Sequence, residues 1–232
     1  MNKDGIKEYV GIGLFVLLAI IAGGGLEGKP PEDLQMVDVI EEPTTKHNDH
    51  ADAHGDNHAE EKNTQKPTEP SGPTLTYALD DLETAIDATG YSKWGEQTVI
   101  FNPTSGSFAF PEGSYEGGKI SGVIDMELLI HDKQLLVDHI QEPKFFNTAE
   151  YPESTFESLR IEKEADGYKI TGNLTIKGNT KTIAFVAEIE EGDSTVTVTS
   201  RNIGLKTTYW DLKYPSVKED VKLDISLVFK KG

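Results

Sequence analysis

From residue 119 the chain reads KISGVIDMELLI, and its apolar side chains recur at every second position. Ile120, Gly122, Ile124, Met126, Leu128 and Ile130 share one phase, and Ser121, Asp125, Glu127 and His131 fall mostly on the other. In a strand, successive side chains point to opposite faces, so this spacing builds one apolar face and one wet face. The period returns in Tyr168, Ile170, Gly172, Leu174 and Ile176, in Ile183, Phe185, Ala187 and Ile189, and in Val221, Leu223, Ile225, Leu227 and Phe229. Turn-forming stretches, FPEGSYEGG, EADG, KGNTK and EEGDS, stand between these runs. Several short strands with hairpin-like connections and no intervening helical periods read as an antiparallel sandwich or barrel. Closure into a barrel also removes exposed edges. The start is less regular: TYALDDLETAIDATGYSKWGEQTVIF predicts a strand, a helical turn over residues 80–87 and a second strand over 98–101.

Three regions follow from composition. Residues 9–26 carry no charge, behind Lys3, Asp4, Lys7 and Glu8, and at about 1.5 Å per residue they match one bilayer thickness of helix. Residues 1–26 are therefore expected to be a transmembrane signal anchor or a signal peptide, with AIIAGGG as a cleavage region; the length of the run favours the anchor. Residues 27–73 hold twelve acidic residues against four lysines, a charge of −8, with few large apolar groups, which predicts a disordered, extended linker. Within it His47, His50, His54 and His58 are spaced three, four and four apart. On a helix they would share a face and could hold a transition metal weakly, but the surrounding Gly, Asn and Asp residues favour a solvated polar tract. Residues 74–232 are the folded domain. Export to the periplasm or cell envelope is the expected location, held at the inner membrane through the N-terminal helix or released by cleavage.

Charge and chemistry exclude several functions. Forty acidic residues against 22 basic ones give −18, which repels nucleic acid. The absence of cysteine removes disulfides, thiol catalysis and acylated lipoprotein anchoring. No nucleophile elbow, zincin motif or phosphate loop is present, and His131 and His139 have no nucleophile to serve. The sequence thus argues against an enzyme and implies no cofactor. The oligomeric state, a homodimer included, stays open.

The stretch LLVDHIQEPKFFNTAEYPESTFES, followed by GYKITGNLTIKGNTKTIAF, resembles the YceI-like proteins. The resemblance rests on Phe145, Phe146, Tyr151, Pro152, Phe156 and Ser158. It continues through the hairpin residues Gly172, Leu174, Thr175, Ile176, Gly178, Thr180 and Lys181, and through Asp125 and Met126. It implies an all-β, lipocalin-like antiparallel barrel of about eight strands with a short helical segment. Its cavity would hold a polyisoprenoid, an isoprenoid quinone or a similar long-chain lipid for carriage or storage. The residues it places against such a ligand are Phe101, Phe108, Ile120, Ile124, Met126 and Leu128 from the earlier strands. Phe145, Phe146, Phe156, Leu174, Ile176, Phe185, Trp210, Ile225 and Leu227 follow from the rest.

Several alternatives remain open at this stage. Phe145 and Phe146 either gate the cavity or plug a packed core. Gly122, Gly172 and Ala187 either leave room for a tunnel or relieve crowding at bends. The TSRNIGLKTTYWDLKYP loop is either a membrane-facing mouth or an ordinary aromatic cover. A non-enzymatic envelope interaction protein with a packed core and a metal-binding stalk is the alternative function.

Overall fold

The computed structural model describes residues 27–40, 72–93, 95–214 and 216–232. Strands β1 (Gln35–Met36) and β2 (Asp38–Ile40) come first, followed by β3 (Thr74–Leu79), β4 (Ala85–Ser92), β5 (Gly95–Phe101), β6 (Pro103–Pro111) and β7 (Lys119–Asp125). Helix α1 (Gln134–Gln141) precedes β8 (Glu153–Glu164), β9 (Gly167–Ile176), β10 (Asn179–Glu191) and β11 (Thr195–Lys206). A short 3-10 helix, Thr207–Trp210, leads toward β12 (Asp220–Lys231).

These strands form a closed antiparallel meander of eight staves. Strands β3 and β4 act as one interrupted stave, and β5 and β6 as the next, because Thr74↔Pro111 and Ala78↔Ser107 run nearly in register with Ile86↔Phe101 and Ser92↔Gly95. Pairing then passes through β7, β8, β9, β10 and β11 to β12, and β12 returns to β3 and β4. The residues expected as a helical turn form an interruption at 81–83, with β4 already begun at Ala85. Thr84 bridges the gap: its Oγ1 accepts the Val228 N–H at 2.9 Å, while the Asp80 N–H donates to the Val228 carbonyl at 2.8 Å. The ladder therefore loses no partner where the backbone bends.

Two local features position the mouth. At the β9–β10 hairpin, Lys177 and Gly178 both take positive φ, 49° and 70°, as a two-residue turn with right-handed strand twist requires. A Cβ on Gly178 would meet the Tyr151 ring at 2.7 Å, so Tyr151 packs on this turn. Strand β7 ends at Asp125, whose Oδ1 accepts the Glu127 N–H at 2.9 Å. This turn breaks the alternation read through Ile130: Leu129 is buried, whereas Leu128 is 57% exposed and Ile130 is exposed.

The linker expectation is overturned between residues 27 and 40. Strand β10 pairs with β11 only over Glu188–Glu191, and nearer the mouth the two diverge. Residues 35–40 fill that gap, β1 pairing parallel with β11 (Met36↔Gly204) and β2 antiparallel with β10 (Val39↔Ile183). Val37 and Val39 join the cluster around Ile183, Ile203 and Leu205, and apolar burial outweighs the acidic composition that suggested disorder. Residues 1–26 and 41–71, the latter with His47, His50, His54 and His58, lie outside the described residues. Among the described residues no helix is long and apolar enough to cross a membrane, and no cluster of His, Cys, Asp or Glu is placed to hold a metal.

Val37 is 8% exposed. Val37→Asp is expected to destabilise the barrel by about 3 kcal/mol, because it buries an unpaired carboxylate; a urea titration reads this as a lower midpoint. An unstructured linker at this position would give an unchanged midpoint.

Candidate functional site

The two ends of the barrel are filled differently. At the end carrying the β8–β9 and β10–β11 turns, Tyr77, Phe108, Phe110 and Phe229 pack with Ile120, Ile161, Ile170 and Val196. Ring centroids lie 4.7 Å apart for Phe108–Phe110, 4.9 Å for Phe110–Tyr115 and 5.8 Å for Phe108–Phe229. Offset and edge-on contacts at these spacings leave that end solid. The opposite end holds a cavity of about 670 Å³, within the usual range for small-ligand sites. At about 30 Å³ for each water-sized group, it has room for roughly twenty methylenes.

Helix α1 forms one wall. Leu136, His139 and Ile140, spaced i, i+3 and i+4, turn one face inward against Val99, Phe101 and Met126. The facing wall comprises Val37, Ile183, Ile203 and Leu205 with β12 residues Val221, Leu223 and Ile225. Phe146 packs against both clusters and therefore bridges the walls. Its ring meets Phe101 edge-on at 6.0 Å and Phe145 at 5.0 Å, and Phe145 in turn lies 6.4 Å from Tyr214. Neither phenylalanine is fully buried and both line the cavity, so they lie across its mouth.

Most of the expected ligand residues converge here. Phe101, Ile120, Ile124 and Met126 line the cavity from β5 to the end of β7, and Phe145, Phe146 and Phe156 from the segment after the helix and from β8. Leu174, Ile176, Phe185, Ile225 and Leu227 complete the set from β9, β10 and β12. Three expectations are corrected. Phe108 is fully buried in the solid end. Trp210 is fully buried behind the wall, its indole N–H donating to the Leu174 carbonyl at 3.1 Å, so it is a cover and not a contact. Leu128 points outward because the Asp125 turn shifts the phase.

The small residues also separate. A Cβ on Gly122 would meet nothing within 4 Å, and Gly122 lines the cavity, so its missing side chain is open space. At Gly172 the same atom would collide with the Phe156 ring and lie 2.7 Å from the Glu157 carbonyl. Gly172 therefore lets an aromatic ring close on the backbone, and Ala187 is buried in the solid end.

Polar groups in the wall are few. His139 Nδ1 lies 3.5 Å from Glu142 Oε1, while its Nε2 is buried without a partner. Its ring meets Tyr214 edge-on at 5.0 Å. Burial, helped by the Lys144 charge, holds the imidazole pKa below its ordinary value against the opposing pull of Glu142. Lys213, Lys218 and Glu219 stand at the rim. Lys218 pairs with Glu27 at 3.3 Å, and the Gly28 N–H donates to the Ser92 carbonyl at 2.8 Å. Residue 27 thus enters the domain at the mouth. The sequence reading weighed His139 only as a base with no nucleophile to serve, and Tyr214 only within the loop read as a mouth or an aromatic cover; the helical spacing Leu136, His139, Ile140 was the signal that placed the histidine inward.

A closed antiparallel barrel, solid at one end and hollow and apolar at the other, has the lipocalin-like fold. The YceI-like domain matches residues 77–229, and the chain belongs to that family. Curated relatives include a UPF0312 protein of Yersinia pestis, 33% identical over 108 residues, covering 47% of this chain and 55% of that protein. Another, from Pectobacterium atrosepticum, is 34% identical over 113 residues, covering 48% and 57%. The matched region is thus about half the length of these relatives. Among solved structures, BcnA of Burkholderia cenocepacia shares the fold with a TM-score of 0.60 at 20% identity, over 65% of this chain and 98% of that one. A polyisoprenoid binding domain from Saccharophagus degradans, implicated in plant cell wall breakdown, gives 0.55 at 15% identity, over 68% and 99%.

Two measurements follow from the site. Gly122→Leu is expected to reduce uptake of an added apolar probe severalfold with little change in stability, whereas Gly172→Ala costs about 1–3 kcal/mol through overpacking; mass spectrometry and urea denaturation separate them. A histidine held neutral in the fold contributes fully above its unfolded pKa, about 6.5, and loses that contribution as pH falls through its lower folded pKa. Stability should therefore decline below about pH 6.5, and His139→Phe should remove this component of the decline.

Proposed function

We propose that this protein binds the hydrocarbon part of one long-chain isoprenoid or quinone-like lipid in the barrel and carries or stores it in the cell envelope. The single observation that supports this most directly is the apolar cavity of about 670 Å³ in a barrel whose other end is packed solid. Covering a few hundred Å² of hydrocarbon is worth on the order of 10 kcal/mol against water before association costs. Against a bilayer the gain nearly cancels, which suits a carrier that returns its cargo. A barrel solid throughout, as the alternative of a packed interaction protein requires, is incompatible with this cavity.

The proposed anchor is residues 9–26, in the inner membrane with the barrel on the periplasmic side. Because Glu27 and Gly28 are tied at the mouth, such an anchor would hold the opening toward the bilayer without an intervening stalk. Phe145 and Phe146 would then be the movable groups between cavity and membrane. The binding role uses no catalytic group.

Organic extraction of the purified chain followed by mass spectrometry tests the reading: an apolar lipid at near-stoichiometric amount supports it, and a lipid-free protein that takes up no added prenyl chain rejects it. Replacing both Phe145 and Phe146 with alanine should accelerate lipid exchange at least severalfold, as read by transfer between vesicles. A large drop in stability with unchanged exchange would mark them as packing residues only.

A further inference from the structure

In a wall built from leucine, isoleucine, valine and phenylalanine, His139 is out of place. It is 9% exposed, lines the cavity and leaves Nε2 without a hydrogen-bond partner. A buried polar atom with no partner carries a desolvation cost that a donor brought to it from the cavity would relieve, the wall around the ring yielding to admit it. What the occupant must offer depends on which ring nitrogen holds the proton. Nδ1 faces the Glu142 carboxylate at 3.5 Å, and a carboxylate only accepts. A neutral imidazole with its proton on Nδ1 presents a lone pair at Nε2.

We propose that His139 Nε2 is a headgroup acceptor that selects lipids ending in a hydroxyl, a prenol or a quinol, over chains with only carbonyl or ether oxygens. The inference rests on the cavity's binding a hydrocarbon chain, as proposed above. The lowered basicity of the ring agrees with it, since the neutral form is the one present near neutral pH. Charged and titratable groups meet this site from two elements. Glu142 and Lys144 follow the helix, with Lys144 2.7 Å from Glu142 Oε2. Tyr214 and, farther along the same connection, Lys213 stand on the approach to β12. The Lys144 contact keeps Glu142 ionised and so keeps the proton on Nδ1.

The test is a competition in which detergent effects cancel. The full chain is incubated with an equimolar mixture of farnesol and farnesyl methyl ether, which share a prenyl chain and differ in the donor proton. It is then repurified, extracted and analysed by mass spectrometry. Wild type should be enriched in the alcohol by on the order of three- to tenfold, the range one net hydrogen bond supplies. His139→Phe should take up both probes without preference, and His139→Gln, which restores an acceptor, should recover part of the enrichment. Equal uptake by wild type near neutral pH, or enrichment that persists in His139→Phe, overturns the acceptor while leaving the hydrocarbon cavity intact. Uptake of neither probe by wild type rejects the cavity reading and the acceptor with it.

Discussion

Strand β12 is hydrogen-bonded along both edges, to β11 on one side and to β4 and then β3 on the other. That closure joins the first stave to the last, and it leaves the interior as the main place where apolar side chains can escape water. Every later feature of the molecule depends on how the enclosed volume is filled. At one end, aromatic rings at centroid spacings near 5 Å occupy it completely. Toward the other end the staves carry branched aliphatics and a glycine, Gly122, whose absent side chain no neighbour replaces. The hollow therefore comes from side-chain volume at particular positions, within a ring whose backbone bonding continues past both.

Closure is incomplete in one place, and the repair is informative. Where β10 and β11 part, residues 35–40 are inserted as a short extra stave, satisfying backbone groups on both sides and presenting Val37 to the cavity. Gly204 permits this, since a Cβ there would collide with Met36. The segment that enters the domain at the mouth is thus also part of the cavity wall. Displacing it would open the barrel sideways, so chain entry, wall integrity and access to the hollow are mechanically one problem.

Legibility from the sequence differed by region. Strands β7, β9, β10 and β12 were plain, because long alternating runs bounded by Gly- and Asp-containing turns leave little freedom of register; β8 was seen only through the family resemblance, and β11 from Thr199 onward was read as a loop although it is strand to Lys206. Phe145, Phe146 and Phe156 could be assigned inward together, though not whether they touched a void. The phase was misread after Asp125, where one side-chain hydrogen bond to the Glu127 amide outweighed four further residues of apparent alternation. The stave at residues 35–40 was missed because its short apolar run, Leu34, Met36, Val37, Val39 and Ile40, lies within a long stretch whose overall composition is acidic and polar. The burial of Val37 and Val39 is decided by a gap between two distant strands. His139 could have been placed inward by its spacing from Leu136 and Ile140, but the orphaned state of Nε2 depends on Glu142 and on the opposite wall.

The sequence by itself determined the antiparallel strands, the inward phase of most of them, the uncharged apolar run of residues 9–26 and the exclusion of cysteine chemistry, because these follow from local periodicity and composition. Only the tertiary structure decided that Phe108 and Trp210 are packing residues while Phe101 and Phe146 face open space. It alone decided that Gly122 leaves a void where Gly172 accepts a ring, and that an acidic segment completes the wall. Cavity and core are lined by the same residue types on the same strand phase. What separates them is whether the side chains that meet across the barrel add up to its bore, and that sum is taken between residues far apart in the chain.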